Sequence, residues 1–269
     1  MKYEEIIYEV DDHLAIITLN RPEKFNAFTG EMLSEWNHAL NRANEDDDVW
    51  VIMITGAGRA FCAGADVTRL ASGRGGSEEP APLFTQRDHM RKSVHPIPRT
   101  VETLVKPYIA AINGHAVGAG MDMANMADIR ICSDKAKLIM GYIKMGLVPG
   151  DGGAFYLPRI VGTAKAYEMI WLGEPVESKE AKEIGLVNHI FPAENFHEHA
   201  TEYCRKFTQK PAIAMQLAKR AVKRGLETNN LDVALEYVEW YMLLCGSTED
   251  AKEGPRAFLE KRDPQFKGK

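Results

Sequence analysis

The sequence predicts an α/β fold: a largely parallel sheet covered by helices, followed from about residue 196 by a region that is helical throughout. Three observations lead there. Short, almost wholly apolar runs in the first half (49–55, 108–112, 129–132) alternate with helix-length stretches, and strands apolar on both faces belong in sheets covered on both sides. Glycine-containing segments follow such runs, as strand-to-helix turns require. After Phe191 four helical stretches succeed one another with no strand among them.

The elements follow in order. Residues 6–10 and 14–19 are β runs on either side of Asp11-Asp12, which predicts a hairpin. Thr29 or Ser34 is placed to open a helix that runs to about Ala43. The acidic run Glu45-Asp46-Asp47-Asp48 separates it from the strand at 49–55. A helical stretch over about 84–105 leads into the strand at 108–112. Residues 71–82 (ASGRGGSEEPAP) hold Gly, Ser and Pro without a large apolar side chain, the composition of a mobile loop. The terminal helices fall at 196–207, 212–224, 231–244 and 249–261. In the third, Leu231, Ala234, Leu235, Val238, Tyr241 and Met242 recur at helical spacing. Such a face packs on the chain's own core or on another subunit, and both readings stay open.

A chain of 269 residues allows one large domain, or one with an appendage. No run approaches 18 apolar residues, and the charged N-terminus has no apolar signal segment, so neither a membrane span nor a secretory leader is expected. Cys62, Cys132, Cys204 and Cys245 are far apart and form no C-x-x-C pair. That speaks against a zinc cluster or redox pair and for a reducing, cytoplasmic compartment. No metal site is expected, since His197 and His199 stand at i, i+2 and point to different faces of a helix. A net charge of −5 gives no general affinity for nucleic acid or anionic membrane. Lys219, Arg220, Lys223 and Arg224 form a basic cluster, open to a reading as an RNA-binding surface or as cations favoured at a helix C-terminus.

The glycine segments narrow the chemistry. Gly56-Ala57-Gly58 invites a dinucleotide-binding reading, but the third glycine of G-x-G-x-x-G would fall at Phe61, whose ring blocks close helix–strand packing. No P-loop motif occurs. In Asn113–Asp122 (NGHAVGAGMD), Gly118, Ala119 and Gly120 open a helix, where exposed backbone N–H groups can hold a phosphate or a developing oxyanion. In Val148–Gly153 (VPGDGG), Asp151 precedes a helix over about 152–160, which it could cap.

Together these segments resemble the crotonase (enoyl-CoA hydratase/isomerase) superfamily, nearly end to end. The likeness is carried by Asn20-Arg21-Pro22-Glu23-Lys24-Phe25-Asn26-Ala27, Ala60-Phe61-Cys62-Ala63-Gly64-Ala65-Asp66, Lys106-Pro107 leading into Asn113–Gly120, Gly146-Leu147-Val148-Pro149-Gly150, and Thr248-Glu249-Asp250 with Phe258-Leu259-Glu260-Lys261-Arg262. It implies a spiral of ββα units over residues 1–195 and a helical oligomerisation region over 196–269, giving trimers or pairs of trimers. It also implies a coenzyme A thioester substrate, with no cofactor beyond that coenzyme. The thioester carbonyl would sit between the backbone N–H groups of Ala65 and Ala119, which stabilise the oxyanion of the reaction by roughly 3–4 kcal/mol each. Lys24, Ala63 and Asp66 would contact the coenzyme, with Phe258 and Lys261 reaching in, often from a neighbouring subunit.

The resemblance also exposes a departure. Hydratases of the superfamily place two glutamates twenty residues apart to hold and activate one water. Here those positions are Asp122 and Tyr142, and a phenol with an ordinary pKa near 10 is a poor base at neutral pH. Asp151 is the candidate replacement carboxylate. Hydration or dehydration of a 2-enoyl-CoA is the leading expectation. Double-bond isomerisation, or C–C hydrolysis or decarboxylation through Tyr142 and Asp151, are the alternatives. The acyl-pocket wall is expected from 71–82 and the following helix, with Leu83 and Met90 as apolar lining.

Overall fold

The hairpin that opens the chain is closed by two residues that most side chains avoid. Strand β1 (Ile6–Asp11) pairs antiparallel with β2 (Leu14–Leu19), and Asp12 and His13 between them both take positive φ, the geometry that lets a two-residue turn follow the strand twist. A computed structural model describes residues 1–66 and 82–269. The stretch predicted as a loop at 71–82 therefore lies, except for Pro82, outside the described residues.

Beyond the hairpin come helix α1 (Gly30–Glu45), β3 (Val51–Gly56) and β4 (Ala60–Cys62). Helices α2 (Leu83–His89) and α3 (Pro96–Thr103) flank a π turn at Met90–Val94. The continuous helix expected over 84–105 is thus broken. Its cause is Pro96 and Pro98: proline has no N–H to donate and restarts a helix more readily than it continues one. Next are β5 (Tyr108–Ile112), β6 (His115–Val117), α4 (Ala119–Asn125), β7 (Ile129–Ser133) and β8 (Lys137–Ile139). A 3-10 turn (Gly141–Met145) leads to α5 (Gly153–Val161), α6 (Thr163–Leu172), β9 (Pro175–Glu177), α7 (Ser178–Glu183) and β10 (His189–Phe191). The chain closes with α8 (Phe196–Thr208), α9 (Ala212–Glu227), α10 (Leu231–Gly246) and α11 (Asp250–Glu260).

The strands form two sheets, in the orders β1-β2-β3-β5-β7-β10 and β4-β6-β8-β9. After the hairpin, three successive turns (β3–β4, β5–β6, β7–β8) each lay one strand in the first sheet and a short one in the second, and the last pair, β9 and β10, takes the reverse order. That is the expected spiral. Every residue of β5 is buried, because helices cover both faces of the first sheet. Trp36 and Leu40 of α1 pack on one face with Ile17, Ile52 and Ile54. On the other, Phe196, Ala200 and Cys204 of α8 pack on Leu14, Val51, Met53, Ile109 and Ile131. By contrast, α10 buries none of its residues.

Ion pairs tie the helical end to the core. Lys219 bonds to the Lys106 carbonyl and to Asp128 and Lys223 reaches Glu102, while Arg224 pairs with Glu227 of its own helix. Three of the four cations read as an RNA-binding cluster are therefore engaged within the chain. Among the described residues no helix is long and apolar enough to cross a membrane.

Candidate active site

The second and third glycine segments meet in space. Gly64, with φ +90°, lies so close to the β6–α4 turn that a methyl group on it would stand 2.8 Å from the Val117 carbonyl oxygen and 3.4 Å from the Ala119 nitrogen. Only glycine lets the two backbones approach like this. Ala119 is the first residue of α4, where an N–H has no partner within the helix. Ala65 follows Gly64 and bridges to Phe28. Both alanines line one cavity of about 960 Å³, together with Ala63, Asp66, Phe28, Leu33, Met90 and Val94. Two backbone donors, one of them at a helix start, can hold a developing negative charge.

Tyr142 and Asp151 line the same cavity. The Tyr142 hydroxyl lies 2.7 Å from Asp122 Oδ2 and 2.5 Å from Asp151 Oδ2, and the Asp151 N–H donates to Asp122 Oδ2 at 3.2 Å. The three residues named from the sequence are thus brought into one hydrogen-bonded chain. Asp122 differs from the other two in being fully buried and absent from the cavity wall. It stands behind Tyr142, because α4 turns its side chain inward and the larger phenol fills the space in front. Its Oδ1 is buried without a well-formed hydrogen bond. A methyl on Gly153 would lie 1.9 Å from that atom, so the first residue of α5 has no room for a side chain.

The electrostatics follow from burial. Asp122 is pushed up to about 7, first by desolvation and then by the neighbouring Asp151, while the Tyr142 hydroxyl and the Gly153 and Asp151 N–H groups pull the other way. Asp151 is raised as well, again by burial, with Tyr142 and His95 opposing. Desolvation, followed by the two aspartates, holds Tyr142 far above its ordinary value, so it remains a phenol. One phenolic proton cannot satisfy two carboxylates. A second proton on the pair resolves this, with one carboxylic acid donating to the Tyr142 oxygen while the phenol donates to the other carboxylate.

Other expectations fare differently. Asp151 does not cap the following helix. That position belongs to Gly152, with φ +113°, and the Asp151 side chain turns to Tyr142 instead. Met90 lines the cavity as expected, whereas Leu83 is 82% exposed and is absent from the described lining. Ala63 and Asp66 are in the wall. Lys24, Phe258 and Lys261 are exposed and do not line the cavity of their own chain. Reading the sequence missed His95, whose Nε2 lies 3.0 Å from the Gly150 carbonyl oxygen. The signal was there in His95-Pro96-Ile97-Pro98, where prolines mark a helix break. Among the described residues no three His, Cys, Asp or Glu side chains converge as a metal site would require.

The two-sheet spiral is the architecture of the crotonase-fold enzymes. Enoyl-CoA hydratase from Bacillus anthracis superimposes with a TM-score of 0.88 at 33% identity, covering 99% of this chain and 100% of that one. In sequence, the chain is 36% identical to 1,2-epoxyphenylacetyl-CoA isomerase of Escherichia coli and 33% identical to crotonyl-CoA hydratase of Syntrophomonas wolfei, over 99% of each chain in both cases. Residues 9–269 match the family profile of enoyl-CoA hydratase/isomerase. The chain belongs to the enoyl-CoA hydratase/isomerase family and is an enzyme of it.

Proposed function

We propose that this enzyme hydrates a 2-enoyl-CoA thioester through an enolate, and dehydrates the product in reverse. The observation that carries this reading is the Tyr142 hydroxyl set between Asp122 and Asp151, in a cavity that also holds Ala65 and Ala119. Asp151 takes a proton from water as its oxygen attacks Cβ. The electron pair of the double bond moves toward the thioester, and the Ala65 and Ala119 N–H groups stabilise the oxyanion. Tyr142 then gives its proton to Cα and is replenished by the acid form of Asp122. The new proton on Asp151 returns through Tyr142 to Asp122, so the chain resets without solvent. Asp122 acts in this scheme through Tyr142, never on the substrate.

A second reading is supported by one observation: of the two aspartates, only Asp151 lines the cavity. One carboxylate is enough to carry a proton between Cα and Cγ, which is double-bond isomerisation. The name of the Escherichia coli relative is also that of an isomerase. Lys24, Ala63 and Asp66, with Phe258 and Lys261 of a neighbouring subunit, are proposed to hold the coenzyme, which is part of the substrate and the only cofactor required. The four cysteines, none of them paired, support a cytoplasmic setting.

The test is incubation of the purified protein with crotonyl-CoA, longer 2-enoyl-CoAs and 3-enoyl-CoAs, with products read by mass and NMR. Gain of water at Cβ is the expected result. A moved double bond at unchanged mass selects the second reading, and no turnover of any enoyl-CoA rejects both. NMR separates hydration from C–C hydrolysis, which also adds one water. Tyr142→Phe is expected to lower kcat by about 10²–10³-fold with KM little altered.

A further inference from the structure

Asp151 lies between Gly150 and Gly152, a sequence with little stiffness of its own. Two contacts pin it from opposite sides. Its N–H donates to Asp122 Oδ2 at 3.2 Å, and the carbonyl just before it, on Gly150, lies 3.0 Å from His95 Nε2. A carbonyl oxygen only accepts, so this ring nitrogen is the one that carries hydrogen. The backbone around His95 is unusual. Helix α2 widens into the π turn at Met90–Val94, the His95 N–H returns to the Met90 carbonyl, and Pro96 then restarts the helix. Such turns recur at functional sites because they re-aim a side chain without ending the helical segment. Here the re-aimed ring is half-buried and reaches the loop that carries the base.

We infer that His95 is a positioning residue, whose Nε2–H fixes the Gly150 carbonyl and so holds the Asp151 carboxylate against Tyr142 at the cavity wall. This rests on the reading of Asp151 as the base. Among the described residues, the titratable groups that act on Asp151 or feel its charge are Tyr142 from the 3-10 turn, Asp122 from α4, Cys62 from β4 and His95 from the start of α3. Of these four, His95 alone can carry a positive charge, and that charge favours the ionised form of Asp151. The ring therefore acts in two ways, by its hydrogen bond and by the charge it presents to Asp151.

The experiment compares wild type, His95→Ala, His95→Gln and Asp151→Asn on whichever enoyl-CoA the wild type turns over, with circular dichroism and melting as checks of folding. His95→Ala is expected to lower kcat by about 10- to 100-fold, leave KM nearly unchanged, and move the acidic limb of the kcat–pH profile to higher pH. His95→Gln, which can donate the same hydrogen bond without the charge, recovers most of the plateau kcat but keeps the displaced limb. A folded His95→Ala with wild-type kcat and an unmoved limb overturns the inference, as does a loss confined to KM. Where alanine prevents folding, the glutamine variant decides: a near-wild-type plateau with a displaced limb supports the contact, and a lost plateau overturns it. Asp151→Asn with wild-type turnover would show instead that the base assignment has failed, taking the inference with it.

Discussion

A carboxylate as deeply buried as Asp122 titrates only on the terms its neighbours set. Its folded-state pKa of about 7 stands above the ordinary 3.8 because desolvation outweighs the hydrogen bonds it accepts. The folded protein thus holds this proton more tightly than the unfolded chain does. The resulting stability is fully present below about pH 4 and is lost as pH rises through about 7. Asp122→Asn removes that titration, so the melting temperature of the variant relative to wild type is expected to rise steadily between pH 4 and pH 8. A difference that is flat across this range would mean that Asp122 is ionised throughout. Activity should fall in the same variant, because the amide has no proton to pass to Tyr142. The variant thus gains relative stability as pH rises while it loses activity, as expected where a desolvated group is kept for its chemistry.

Helix α1 shows what an element owes to its own sequence and what it owes to the fold. Thr29 Oγ1 accepts from the Met32 N–H at 3.1 Å, which is the cap expected of that residue type. Glu5, from the start of the chain, adds a second acceptor for the same N–H and accepts a hydrogen bond from the Thr29 hydroxyl. Thr29→Ala is expected to cost about 1 kcal/mol in denaturant unfolding, and less should be lost in a Glu5→Gln background if the two act as one cap. The short strands are a different case. Of β4, β6, β8 and β9, none exceeds three residues. Such strands lack the length for a periodic signal and exist because each pairs with a neighbour from a different turn of the spiral.

At the scale of the whole molecule, α10 packs along α9 yet buries none of its residues. Trp240 is 64% exposed and Met242 67%, and no residue of the helix is buried. An apolar face this large marks an interaction surface, and we propose that a second copy of the chain covers it. Light scattering is expected to give a trimer or a multiple of it. Trp240→Glu combined with Met242→Glu should shift the protein to smaller species and raise KM for the acyl-CoA, because Phe258 and Lys261 would no longer reach a neighbour's cavity. A monodisperse monomer with normal KM would overturn this assembly. The parallel core and the terminal helices were legible in the sequence from local apolar runs, and Ala119 from small residues that open a helix after a strand, whereas Ala65 was named only through the family resemblance. The network of Asp122, Tyr142 and Asp151 was legible only as three names. Their order in the chain says nothing of which faces the cavity, and it was the packing of α4 that set Asp122 behind Tyr142 and left Asp151, itself buried, in the cavity wall. His95 lay further out of reach. Its role depends on a π turn forced by prolines and on a carbonyl 55 residues away, and a contact of that kind exists only once the backbone has closed on itself.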